Sequence, residues 1–176
     1  EKKISSDSKV MYVNDGSKDK TWEIIKSISE SNELFTGISL SRNRGHQNAL
    51  LAGLMTAKEY ADVVISMDAD LQDPPEMLME MKQMLDDDSD LDCVGTRRVS
   101  RDGEPLIRSF FATLFYKLMN KISQVEVVDG ARDFRLMRRH MVDAILSVSE
   151  YNRFSKGLFV WVGFKTEYLP YKNVER

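Results

Sequence analysis

Asp68 and Asp70, one residue apart, and the side-chain amide of Gln72 two positions further on are the groups of this chain best suited to chemistry. They lie in the run Val63-Val64-Ile65-Ser66-Met67-Asp68-Ala69-Asp70-Leu71-Gln72-Asp73-Pro74-Pro75. Oxygen donors at that spacing make a site for a hard cation such as Mg²⁺ or Mn²⁺, and such a cation usually holds a substrate diphosphate. The alternative is a solvated strand end, because an Asp-x-Asp pair is common by itself.

The flanking residues say how the pair would be held. Residues 63–67 are mostly apolar and β-branched, which predicts a strand covered on both faces. Asp73 suits the cap of the next helix, and Pro74 and Pro75 suit its first turn. Asp68 and Asp70 then stand at the carboxyl end of a strand, where open α/β sheets bind ligands. Further strands are predicted over residues 10–13, 37–40, 92–96 and 134–137, with helices over 21–29, 45–60, 75–85 and 141–148. The alternation predicts an α/β fold, a mainly parallel sheet flanked by helices. Residues 159–171 form an aromatic tail expected to be extended in part. Met77, Leu78, Met81 and Leu85 of the 75–85 helix fall on one face, at core spacing.

Other polar groups are expected at the same sheet edge. Asp15 ends the first strand, before Gly16 and Ser17. It could accept hydrogen bonds from a base or ribose, or form an Asx turn. In one parallel sheet, Asp15, Asp68 and Asp70 would share an edge, and Arg42, Arg44, His46 and Gln47 would follow the second strand there. The arginines fall in two groups: Arg97, Arg98, Arg101 and Arg108, then Arg132, Arg135, Arg138 and Arg139. In an acidic chain that patterning suggests recognition of phosphate or carboxylate, although charge runs are usually solvated faces. Arg97, directly after a strand, and Arg135, in Asp133-Phe134-Arg135, are the best placed. Asp133 could be a general base or could orient an arginine.

With 176 residues, the chain is expected to form a single domain with a sizeable core. A net charge of −3 argues against broad nucleic-acid binding. The single cysteine, Cys93, allows no internal disulfide, and its apolar neighbours mark a buried thiol. No run reads as a signal peptide, and the longest apolar stretch, residues 157–164, is much too short to span a bilayer. Residues 106–122 read as a long helix with a wide apolar stripe. Core packing explains it, and part of it could also lie on a membrane surface or a second subunit.

The runs VNDGSKDKTWEII, LSRNRGHQNALLAGL, ISMDADLQDPPE, VGTRRVSRDGE, GARDFRLMRR and NRFSKGLFVWVGF, in that order, cover nearly the whole chain. Together they resemble the family 2 glycosyltransferases, above all the polyprenyl-phosphate branch of bactoprenol glucosyltransferases and dolichyl-phosphate mannosyltransferases. The resemblance implies a nucleotide-sugar-binding GT-A fold, an inverting mechanism and Mg²⁺ or Mn²⁺. The donor would be a nucleotide sugar, UDP-glucose, and the acceptor a polyprenyl phosphate such as undecaprenyl phosphate. The alternatives are a saccharide hydroxyl acceptor, which would need a real general base, and a non-catalytic nucleotide-sugar-binding module.

Carried over by residue, the resemblance gives Asp15 to the nucleoside, Asp68 and Asp70 to a DxD-like metal motif, and Gln72 to the metal and diphosphate. Arg97 and Arg135 would bind phosphate of donor or acceptor, Asp133 would be base or acceptor-positioning group, and Arg153 and Lys156 would lie near the acceptor. The family opens with an apolar strand ending in a Pro-x-Tyr-Asn-Glu type turn. Residues 1–9 are charged, so that strand is expected to be missing, as are the branch's C-terminal membrane helices. Arg44 stands where the bactoprenol branch usually has an aromatic residue. The chain therefore reads as a fragment of an enzyme working at the cytoplasmic face of a bacterial membrane.

Overall fold

The computed structural model describes residues 7–99, 128, 130–148 and 155–171. They fall into two compact units, Glu1–Val64 and Ile65–Arg176.

In the first unit, β1 (Val10–Asn14) pairs in parallel with β2 (Phe35–Ser39), Val10 opposite Phe35 and Asn14 opposite Ser39. α1 (Thr21–Ser31) connects them and lies close on β2 because Gly37 has no side chain: a Cβ there would come within 2.3 Å of Ile25 Cγ2. α2 (His46–Ala57) follows, and Leu54 supplies its most buried side chain. The helix ends three residues before the predicted Tyr60, whose N–H closes a turn onto the Ala57 carbonyl. Met55, expected on its apolar side, is exposed.

The remaining strands form a four-stranded sheet of order β3 (Val63–Ser66), β5 (Ala131–Arg138), β4 (Cys93–Arg98), β6 (Thr166–Tyr171). α3 (Met77–Asp87), α4 (Arg139–Ser147) and α5 (Ser155–Trp161) accompany it. β4 runs parallel to β6 and antiparallel to β5, so the sheet is mixed. Pro170, which has no N–H for a ladder, sits in edge strand β6. Leu91, Cys93 and Val94 pack with Met81 and Leu85 of α3, Phe134, Leu136 and Met137 of β5, and Met141, Val142 and Ile145 of α4 as the core. The Cys93 thiol is buried as expected, and burial pushes its pKa up, so it is no nucleophile.

Two expectations change. Among the described residues β1 pairs with β2 alone, and no ladder joins it to β3. Asp73 does not cap α3. The helix starts at Met77, after turns in which Met77 and Leu78 donate to the Pro74 and Pro75 carbonyls. The tail is extended in part, as expected: it forms strand β6 over Thr166–Tyr171 after a helix that ends at Trp161. The predicted 106–122 helix, Arg101, Arg108, Arg153 and the side chain of Lys156 lie outside the described residues.

Candidate active site

The carboxylate loop after β3 is built by its own acids. The Asp73 carboxylate is 1% exposed, and its Oδ2 accepts the Asp68 N–H at 3.0 Å. Asp70 Oδ1 accepts the Gln72 N–H at 3.0 Å. Between them Leu71 takes the left-handed backbone (φ 64°), rare for a bulky residue, and its side chain is exposed. The loop thus folds back on itself, with Asp68, Asp70 and Gln72 half-exposed on it. Burial pushes the Asp73 carboxyl up. The Asp68 N–H and the Arg132 charge pull the other way, and the Asp68 and Asp70 charges add to the rise.

Two carboxylates and an amide fit a hard cation of the Mg²⁺ type, which takes one or two protein carboxylates and completes its shell with water and substrate phosphate. Among the described residues no group of three or more His, Cys, Asp or Glu side chains is gathered to hold a metal.

Asp133 and Arg132 approach this loop from β5. Arg132 Nη2 lies 3.5 Å from Gln72 Oε1, and both residues are partly buried. The Ser66 hydroxyl at the end of β3 donates to the Asp133 carbonyl. Arg97 is exposed on β4, opposite Ala131 of β5 and Pro170 of β6. Tyr171, at the end of β6, has a buried hydroxyl. Burial raises its pKa, and Arg132 lowers it in part.

Arg135 is not at this surface. Its side chain is 1% exposed, with the guanidinium 4.3 Å from the Phe159 ring centroid and 5.6 Å from that of Tyr168. Gly95 makes the space: it stands opposite both Arg135 and Tyr168, and a Cβ there would lie 3.0 Å from the Tyr168 ring and 3.4 Å from Arg135 Nη1. A group packed this way is shut off from solvent, unlike the exposed phosphate contact expected of Arg135. Arg138 is also structural, donating through Nε to the Leu91 carbonyl at 2.8 Å and through Nη2 to the Leu85 carbonyl at 2.7 Å.

In the first unit, Asp15 does not make the Asx turn: the Ser17 N–H that would close it goes instead to Asn14 Oδ1, three residues back, at 3.1 Å. The Asp15 carboxylate accepts the Arg44 N–H at 2.7 Å and the Gly45 N–H at 2.9 Å, fixing the loop that opens α2. Gly16 (φ 65°) lies against that loop, where a Cβ would come within 2.4 Å of the Arg42 carbonyl carbon. Arg42, Arg44 and His46 are exposed around it.

The residues missed from sequence are Asp73, Arg132, Ser66, Thr96 and Tyr171. Arg132 carried a signal only through its membership of the second arginine group, and Asp73 only as an expected helix cap.

A family model described as Glycosyl transferase family 2 matches residues 3–146. The putative glycosyltransferase CsbB of Bacillus subtilis is 41% identical over 99% of this chain and 52% of its own length. The prophage bactoprenol glucosyl transferase homolog of Escherichia coli is 38% identical over 98% of this chain and 55% of its own. The bactoprenol glucosyl transferase of Shigella phage SfV is 38% identical over 95% and 53%. The chain thus spans about half the length of the curated relatives it matches. Among solved structures, glucosyl-3-phosphoglycerate synthase from Mycobacterium tuberculosis, in complex with Mn²⁺, UDP-glucose and phosphoglyceric acid, superposes with a TM-score of 0.53 at 19% identity, covering 94% of this chain and 60% of that one. That likeness shows a shared GT-A-type fold.

Proposed function

We propose that this chain, which belongs to glycosyl transferase family 2, moves glucose from UDP-glucose onto a polyprenyl phosphate such as undecaprenyl phosphate, with inversion at the sugar. The observation that carries the reading is the 38% identity along 95% or more of the chain to relatives named bactoprenol glucosyl transferase. Among the described residues no helix is long and apolar enough to cross a membrane. The place of work we propose, the cytoplasmic face of a bacterial membrane, follows from the lipid acceptor.

The residues divide the task as follows. Asp68, Asp70 and Gln72 hold Mg²⁺ or Mn²⁺ together with the donor diphosphate. When bound, the cation supplies positive charge to the departing nucleoside diphosphate. Asp15 keeps lone pairs beyond those used by the Arg44 and Gly45 amides, and offers them to the nucleoside. Arg97, exposed on β4, offers a phosphate contact. A phosphate monoester has a second pKa of roughly 6, so the acceptor is already largely ionised at neutral pH and needs orientation more than deprotonation. Asp133 is therefore the acceptor-positioning group, with Arg153 and Lys156 on the acceptor side.

The test is transfer of label from radiolabelled UDP-glucose to undecaprenyl phosphate by the whole protein with Mn²⁺. Label should enter the lipid extract and should be lost in Asp70→Asn. A folded protein that labels no lipid, or an Asp70→Asn variant as active as wild type, overturns the reading.

A further inference from the structure

β5 is irregular beside the carboxylate loop. Gly95 pairs with Arg135 and Arg97 pairs with Ala131, so Thr96 alone stands opposite Arg132, Asp133 and Phe134. A bulge of this kind lifts residues out of the ladder and re-aims their side chains. Carbonyls displaced from a ladder need other donors, and two hydroxyls provide them. Thr96 Oγ1, in a fully buried side chain, donates to the Phe134 carbonyl at 3.1 Å. Ser66 Oγ, from β3 on the other side, donates to the Asp133 carbonyl.

The bulge delivers Arg132 to the loop. Its guanidinium reaches Gln72 and lies near Asp73 and Tyr171. Those two residues carry buried oxygens, Asp73 Oδ1 and Tyr171 Oη, that have no hydrogen-bond partner among the described residues. Three positions further on, Arg135 is stacked in the core. Of these two β5 arginines, Arg132 is the partly exposed one, beside oxygen donors that suit a cation shared with phosphate.

We infer that Arg132 binds a phosphate group at the carboxylate loop, and that Thr96 and Ser66 are positioning residues that set it there by holding the β5 bulge. The inference rests on the reading of that loop as the donor site. A guanidinium fork matches phosphate oxygens whether they belong to the donor diphosphate or to the acceptor.

Two measurements on the whole protein separate those sources: calorimetric titration of UDP with Mn²⁺, and the KM for undecaprenyl phosphate. Arg132→Met should weaken one of them by about tenfold or more, as expected for loss of a charge-assisted hydrogen bond, and the measurement that moves names the source. Thr96→Val should shift the same measurement by roughly threefold or more, the loss of one neutral bond, and should melt below wild type because the buried Phe134 carbonyl loses its donor. Thr96→Ser, which keeps the hydroxyl, should restore it. If Thr96→Val does not fold, Arg132→Met decides alone. Wild-type binding of UDP with both measurements unmoved in Arg132→Met overturns this inference and leaves the functional reading standing. A Thr96→Ser variant as impaired as Thr96→Val overturns the positioning role. A wild type that binds no UDP with Mn²⁺ overturns the functional reading, and this inference with it.

Discussion

Replacing Arg135 by methionine should leave the protein about as stable as before, although it removes a fully buried charge. The guanidinium has two aromatic partners, Phe159 at 4.3 Å and Tyr168 at 5.6 Å. A desolvated cation–π contact is worth about 2 kcal/mol or more, and the farther ring contributes less, so the attraction sums to about 3 kcal/mol. Against it stands the cost of taking an ion out of water, still several kcal/mol after relaxation. None of the three guanidinium nitrogens has a hydrogen-bond partner among the described residues to offset that cost. The two contributions nearly cancel. Methionine has similar length and keeps favourable sulfur–aromatic contacts with both rings. The expected change in stability is therefore within about 1 kcal/mol, or a melting shift under about 4 °C for a chain of this size. Arg135→Ala should behave differently, losing about 2–4 kcal/mol because it leaves a cavity between the rings. Urea and thermal melts of the two variants separate charge from volume. UDP affinity of the methionine variant should stay within about twofold of wild type, a difference under about 0.5 kcal/mol. A methionine variant that loses about 3 kcal/mol would mean that the charge has a partner worth more than its desolvation, and would refute the reasoning. A large loss of UDP affinity at unchanged stability would return Arg135 to the phosphate site.

Two further outcomes follow from the loop and from α3. Burial, reinforced by the Asp68 and Asp70 charges, raises the Asp73 pKa above its unfolded value, so the folded state favours the protonated form. Asp73 therefore costs stability as pH rises from the unfolded pKa through the folded one. Asp73→Asn, whose amide oxygen can still accept the Asp68 N–H, should match wild type near pH ~4 and melt higher at pH ~7, as thermal melts across that range will test. Arg138→Met strips two charge-assisted bonds, at 2.8 and 2.7 Å, from partly buried carbonyls beside the end of α3. It should lose about 2–3 kcal/mol, or roughly 5–10 °C in a thermal melt, and a shift below about 2 °C would show that water replaces the guanidinium at no cost.

Runs of apolar and β-branched residues placed most strands and helices within a few positions, because burial of a strand or helix face leaves a periodic mark. Cys93 and, in α3, Met81 and Leu85 were legible for the same reason. What escaped depends on pairings that no local window contains. Arginine is ordinarily a surface residue, and Arg135 is buried only because Gly95 and Tyr168 stand beside it in register across two strand boundaries. The β5 bulge is equally invisible, since Thr96 and the Phe134 carbonyl it holds are 38 residues apart. Asp73 misled through competition. Asp-Pro-Pro before an apolar run is a good helix start, but its carboxylate reaches back to the Asp68 N–H, which the turn brings closer than the helix. Alternation of strands and helices also did not say which strands pair, so a single sheet was expected where, among the described residues, β1 pairs with β2 alone.

The loops that follow β1 and β3 share one way of being built. Asn14 and Asp15 accept the N–H groups of Ser17, Arg44 and Gly45, and Asp70 and Asp73 accept those of Gln72 and Asp68. Backbone amides outside helices and strands must find acceptors, and here short acidic and amide side chains supply them. An ionised carboxylate has about four lone-pair sites, so Asp15 and Asp70 can fix a loop and still present oxygen to a ligand, whereas Asp73, with no exposed oxygen, serves only the loop. A count of acidic residues near Asp-x-Asp therefore overstates the ligand set, and burial separates the acids that build the loop from those left to act on it.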